Sequence, residues 1–272
     1  MEITEFVETL RLDGGLLADA AQEAGPDAAI PACPEWRMRD LVVHIGRVHR
    51  WAAEIVTQGL QERSRPAEAP ELTDDEIVPW LREGHHQLVL ALHGAPRDLA
   101  AWTLLPSDSP LAFWARRQAH ETSVHRVDAQ QAAGASLTPL PSAFAADGVD
   151  ELLTGIHSLE RSKLRTDIPR TMRVRATNVP GADWTVHLSD APPRAIRTTP
   201  APASAPAPAS ASAAASGTSV DGPPADVKPA DCTIEGPAEE LYLALWNRLP
   251  WDALTVTGDQ ALAELWREQG GI

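Results

Sequence analysis

A chain of 272 residues, 43% apolar and 22% charged, can fold two domains of roughly 100 to 170 residues, each with its own core. Its formal charge of -15, from 38 Asp and Glu against 23 Lys and Arg, argues against partners recognised through a phosphate backbone or an anionic membrane surface. No run of basic residues offers a local exception.

In chain order, apolar residues at three-to-four spacing predict helices over 2–23, 36–59, 73–93, 110–133 and 141–161, separated by breaks containing Pro or Gly. The second is the best delimited, with PACPEW before it, Asp40 in its first turns and Gly59 near its end. Together these helices imply a bundle. From about residue 168 the period shortens to two: TMRVRATN and DWTVHLS read as a half-buried strand pair, and PRAIRTT as a third strand.

Residues 200–216, PAPASAPAPASASAAAS, carry no large apolar group to offset the entropy of ordering, so a mobile loop is expected there. After it come a strand at DCTIEG, a helix at PAEELYLALWNRL, a strand at DALTVTG and a closing helix at DQALAELWREQ, with Asp259 at or near its N-cap. The expected fold class is therefore an all-α domain, residues 1–162, followed by a smaller α+β domain, residues 163–272, with the Pro/Ala/Ser loop at about 200–226.

The N-terminus, MEITEFVETLRLDGGLLADA, is acidic where a secretory signal is basic, and no segment reaches the roughly 20 apolar residues of a membrane span. Cys33 and Cys232 are too few for a disulfide framework, which fits a reducing cytoplasm. All basic residues but Lys163 and Lys228 are arginine, a bias associated with high-GC bacterial genomes. Neither domain carries a cue for oligomerisation, and a monomer is expected.

The chemistry concentrates on two helices. Side chains advance about 100° per residue, so Glu121 and His125 share a face while His120 does not share it with His125. Trp114, Arg117, Glu121, His125 and Asp128 follow one line, polar for a helix that faces a core. On the second helix the apolar stripe runs Leu41, Ile45, Val48, Ala52 and Ile55, and His44 sits within it. Standing alone, His44 reads as a core histidine and E-x-x-x-H as an ordinary solvated helix; meeting across two helices, the three donors can bind zinc and leave its fourth position open. Asp40 and Asp128 are spaced to accept the second imidazole N–H of a ligand; the alternatives are a helix N-terminal acid for Asp40 and a solvated charge for Asp128.

At these residues PACPEWRMRDLVVHIGRVHRWA, followed by RRQAHETSVHRVDAQ, resembles the mycothiol-dependent maleylpyruvate isomerase family, within the DinB-like metal-binding four-helix-bundle superfamily. GPAEELYLALWNR and LTVTGDQALAELW resemble its small sterol-carrier-protein-like α+β domain. The resemblance implies zinc, or another divalent metal, held by His44, Glu121 and His125, with mycothiol as the thiol cofactor and fourth ligand. It implies cis–trans isomerisation of a maleylpyruvate-like acid, or thiol S-transfer to an electrophilic small molecule. It also implies an activity-linked arginine from the second domain, which falls on Arg248, although Asn247 stands where a small residue, often Gly, is expected. Arg248 could fork onto a carboxylate or lie exposed near a helix C-terminus.

Two other classes compete: a non-catalytic module enclosing an apolar ligand, and a zinc hydrolase using metal-bound water. Cys33 reads as part of a buried turn anchored by Trp36 rather than as a nucleophile. The nine tryptophans read as core and interface packing, and His85, His86, His93 and His157 as surface residues.

Overall fold

The structure, a computed structural model, describes residues 1–198 and 229–271, so the expected loop at 200–226 lies outside the described residues. The helical half contains α1 (Ile3–Ala24), α2 (Met38–Gln58), α3 (Asp74–Gly94) and α4 (Pro110–Ala132). Their starts follow local chemistry. Asp40 Oδ2 accepts the Arg37 backbone N–H at the head of α2 at 2.8 Å. Glu76 Oε2 accepts the Thr73 N–H before α3 at 2.9 Å, and Ser109 Oγ accepts from Ala112 N before α4 at 3.3 Å, with Pro110 opening the helix. The left-handed Gly59 stops α2.

Helix α1 packs along α4 and α2 along α3, while α1–α3 and α2–α4 contacts close the four-helix bundle. The α2 stripe divides as its residues demand. Leu41, Ile45, Ala52 and Ile55 are fully buried, each large aliphatic side chain contributing about 1.5–3 kcal/mol, whereas His44 and Val48 are half-buried along one edge. Helix α4 is buried nearly all round, so its polar residues face protein on more than one side.

The segment expected as one helix over 141–161 is regular only in α5 (Ser142–Asp150), then widens into a π-turn (Glu151–Gly155) and tightens into a 3₁₀ turn (Ile156–Ser158). The periodicity is similar for all three, so spacing alone did not separate them. Helix α5 packs against α6 (Ala238–Leu245), and Gly148 permits the approach: a Cβ there would lie 2.3 Å from the Tyr242 ring.

The second half builds one five-stranded sheet, ordered β3-β2-β1-β4-β5, from β1 (Arg170–Ala176), β2 (Asp183–Leu188), β3 (Arg194–Arg197), β4 (Cys232–Gly236) and β5 (Thr255–Gly258). Only β1 and β4 run parallel, with Val174 opposite Ile234; β1, β2 and β3 form an antiparallel meander. Period-two alternation buries Met172, Val174, Trp184, Val186, Cys232 and Ile234 on the helix-covered face. The closing helix α7 (Gln260–Gln269) is capped as expected, Asp259 Oδ1 accepting from Ala261 N at 3.1 Å. Among the described residues no helix is long and apolar enough to cross a membrane.

His157, expected at the surface, is buried: its Nδ1 lies 3.0 Å from Ser162 Oγ and its ring meets Trp266 edge-on at 4.8 Å. His85 is partly buried against α1, its Nε2 3.0 Å from the Leu10 carbonyl, whereas His86 and His93 are exposed. Burial pushes the His157 imidazole down to about 4. It is neutral in the fold, while the unfolded chain takes up its proton near 6.5, so this contribution to stability is complete above that pH and falls as pH drops toward 4. Between about pH 7 and pH 5 the loss should reach about 2 kcal/mol. Chemical denaturation of the wild type and His157→Gln at the two pH values measures it: the variant should lose less stability on acidification, and equal slopes would contradict a neutral buried imidazole.

Candidate metal centre and its cavity

His44 comes from the middle of α2; Glu121 and His125 come from consecutive turns of α4. Their side chains are 36%, 21% and 11% exposed, a gradient leading from the cavity into the bundle. One carboxylate oxygen serves both imidazoles: Glu121 Oε1 is 3.1 Å from His44 Nε2 and 3.6 Å from His125 Nε2, and one donor atom from each residue lies within 4.8 Å of the others. Donors at 2.0–2.1 Å around a tetrahedral zinc are separated by about 3.3–3.4 Å. The two separations to Glu121 Oε1 are therefore close to that spacing, and all three lie within 4.8 Å of one another.

Each donor is held from behind. His125 Nδ1 is 2.8 Å from Asp128 Oδ2, which leaves Nε2 to face the shared point. The second oxygen of Glu121 accepts from Arg117 Nη2 at 2.8 Å, and Arg117 also pairs with Glu151 of the π-turn. Trp36 covers one side, its ring 5.1 Å from His44 and stacked 6.2 Å from His125. Burial works against ionisation of Glu121, but hydrogen bonds to His125 and His44 and the charge of Arg117 outweigh it and hold the carboxyl well below its usual range. Burial likewise disfavours a charged His125, yet Asp128 and Glu121 carry its pKa above the ordinary value. Close to the donors the carboxylates of Glu121 and Asp128 are thus held in their charged form.

Of the two candidate orienting acids, Asp128 fills that role and is fully buried rather than solvated, whereas Asp40 is exposed and caps α2. His120 points to the other side of α4, its Nε2 2.9 Å from Asp147 Oδ2 and its Nδ1 3.1 Å from the Tyr242 hydroxyl. His49, on another face of α2, is buried 2.8 Å from Thr122 Oγ1, and burial drives its pKa far down. Neither joins the centre.

The three donors line a cavity of about 580 Å³. Trp51, Trp102 and Trp114 form another part of its wall, so these tryptophans do more than fill core, as the sequence reading had them. Cys33 lies in the same cavity inside a tight turn, where Trp36 N donates to the Cys33 carbonyl at 2.8 Å; burial pushes its thiol pKa up, which does not favour a nucleophile.

Comparison with known proteins assigns the chain. Residues 9–130 match the family model for the mycothiol maleylpyruvate isomerase N-terminal domain, and residues 143–265 match that for the MDMPI C-terminal domain. The chain belongs to the mycothiol-dependent maleylpyruvate isomerase family. Crystal structures of the mycothiol-dependent maleylpyruvate isomerase and of a histidine-to-alanine mutant of it superpose with TM-scores of 0.58 and 0.59, each at 12% identity and covering 94% of this chain and 93% of the other. At that identity the likeness is one of fold. No curated protein sequence matches the chain.

In this family member the second domain reaches the centre through Arg248. The residue is 7% exposed, not a surface arginine: its Nε and Nη2 donate to Asp128 Oδ1 and Oδ2, both at 3.0 Å, and Nη1 donates to the Trp246 carbonyl at 2.7 Å. Its fork grips a carboxylate of the bundle. Gln131 Nε2 holds the Arg248 carbonyl at 2.7 Å, fixing the backbone as well. Asn247, the departure noted in the sequence, has φ of 58°, in the left-handed region that Gly enters freely and Asn tolerates best among the rest. That residue ends α6 and turns the chain back, with Arg248 N donating to the Leu243 carbonyl at 2.8 Å.

Trp36 and Glu151 escaped the sequence reading as parts of the centre. CPEW reads as a turn, and Glu151 carries no motif. Two outcomes test the geometry. Asp128→Asn should weaken metal affinity about 10–100-fold in chelator competition; unchanged affinity would show that His125 is oriented by other means. Asn247→Gly should retain stability while Asn247→Val costs about 1–2 kcal/mol by denaturant titration; equal stability of the two would remove the conformational reason for Asn247.

Proposed function

We propose that this chain is a zinc enzyme that uses mycothiol and carries out the isomerisation for which its family is named, cis-to-trans conversion of a maleylpyruvate-like acid. One observation carries the reading: the convergence of His44 Nε2, Glu121 Oε1 and a His125 nitrogen within 4.8 Å beside a cavity. Two imidazoles and one carboxylate are a zinc donor set that leaves one position for a further ligand. When bound, zinc supplies a positive centre that lowers the pKa of a thiol in that position, making thiolate available near neutral pH.

This chain's residues do the rest. Asp128 fixes the His125 ring and Arg117 fixes the Glu121 carboxylate, so the donors need little rearrangement. A divalent ion with Glu121 as its one anionic ligand keeps net positive charge, which favours an anionic fourth ligand. Trp36 screens the two imidazoles from one side. Arg248 acts through Asp128 as a positioning residue, binding the second domain to the orientation of His125. Isomerisation and S-transfer share attack by the thiol and differ in whether the thiol is then eliminated from the adduct, restoring the double bond, or stays bonded to carbon; family membership supports the former.

The test combines metal analysis with turnover. Purified protein should contain about one zinc per chain, and His44→Ala, Glu121→Ala and His125→Ala should each lose both the metal and mycothiol-dependent conversion of maleylpyruvate followed by absorbance. A fully active metal-free protein would sink the reading. Turnover without thiol would point to a hydrolase, and accumulation of a stable thioether in the mass spectrum to a transferase.

A further inference from the structure

Along α4 one buried polar side chain is left unmatched. From Arg116 to Asp128 every polar side chain except Gln118 has a hydrogen-bond partner within the protein. Gln118 is 1% exposed, its carboxamide forms no hydrogen bond among the described residues, and its oxygen is fully buried. An amide left unmet in this way destabilises the free protein, so a use for it is worth seeking.

Gln118 lines the same cavity as the three donors. Helix spacing puts it on their side of α4, since it precedes Glu121 by one turn, about 60° away, and His125 by two turns, about 20° away. Trp114 stands one turn earlier still, so Gln118 lies between the aromatic wall and the donors. Trp246, where α6 ends, gives this cavity a second buried polar atom without a partner, its Nε1. The rim differs in character: Arg63 and Arg65 there are exposed to water.

We propose that Gln118 is a catalytic residue toward the acid: its carboxamide N–H donates to the acid's carbonyl oxygen as negative charge develops there. The assignment deepens the reading under Proposed function and rests on it. As thiolate sulfur bonds to one carbon of the cis double bond, the π pair moves onto the conjugated carbonyl oxygen to give an enolate, and the carbon–carbon bond, now single, rotates. The pair then returns, the double bond re-forms trans and the thiolate leaves. Gln118 gives up no proton. A neutral donor fixed in an enclosed site stabilises charge that exists only midway through this sequence, which lowers the barrier. The thiol shares the cavity: its hydroxyl-rich body stays hydrated toward the rim at Arg63 and Arg65, and the smaller acid takes the enclosed wall beside Gln118.

Gln118→Met, similar in volume but without amide donors, tests the proposal, with Gln118→Leu as a second variant. In full-length protein stripped of metal and free of thiol, the variant should unfold about 2–4 °C above the wild type, because the unmet amide is gone. A lower midpoint would mark Gln118 as a structural residue and overturn the proposal. Calorimetric titration of the same protein with succinylpyruvate, the saturated analogue that presents the diketo acid but takes up no thiol, should show about tenfold weaker binding to the variant. In the metal-loaded enzyme kcat for maleylpyruvate should fall about 100-fold, while zinc content and the KM for mycothiol hold. Unchanged succinylpyruvate binding or unchanged kcat would overturn it, as would a raised mycothiol KM with normal acid binding, which would assign Gln118 to the thiol. The first two measurements need neither metal nor thiol, so failure of the zinc reading leaves them standing, and failure of Gln118 leaves zinc content and wild-type turnover untouched.

Discussion

A carboxylate partly buried in a helical bundle has to be compensated, and the fold is arranged around compensating Glu121. Its two oxygens face opposite kinds of partner: one meets the imidazoles of His44 and His125, the other the guanidinium of Arg117. Arg117 is itself buried and paired with Glu151; His125 leans on Asp128, and Asp128 on Arg248. Charges alternate along this chain of contacts from the π-turn, through α4, to the second domain. Removing one member of such a buried pair leaves an uncompensated charge at a cost of about 3–5 kcal/mol, so each link stabilises its neighbours' geometry as well as its own.

The same helix explains why the domains act as one body. Helix α4 carries polar groups on two sides, and both sides end at residues from the second half of the chain. On one, Asp128 and Gln131 hold Arg248 by side chain and backbone. On the other, His120 meets Tyr242 of α6 and Asp147 of α5, while Arg116 donates to Asp147 and Asp150, whose other oxygen accepts from the Trp184 indole. The geometry of His44, Glu121 and His125 is consequently coupled to the seating of a domain that contributes none of the three.

The cavity follows from the division of labour on α2. Its fully buried positions close the core against α3 and α4, and its half-buried edge, His44 and Val48, is left facing space that Trp36, Trp51 and the 59–68 loop enclose. Apolar walls lower the local dielectric, which strengthens every charge interaction at the donors. Aromatic surface and electrostatics thus serve one site from opposite ends of the same space.

Much of this was legible in the linear sequence. Period-3.6 and period-2 apolar patterns delimited the bundle and the sheet, because burial on one face leaves a direct periodic trace. One-turn spacing put Glu121 and His125 on one face, and His44 in an otherwise apolar stripe marked its helix as the partner. Spacing within a helix could not say what lies opposite it. Asp128 and Asp40 were both spaced to orient an imidazole; only the packing of Arg248 onto α4 buried the first, while the second stayed at a helix end. The tryptophans read as filler because hydrophobicity does not distinguish a core from a cavity wall, and His157 read as exposed because it lacked a motif. The sequence by itself determined which faces must be buried and which donors share a turn. The tertiary structure alone decided which charges meet across elements, because such pairs depend on three-dimensional approach rather than on any period in the chain.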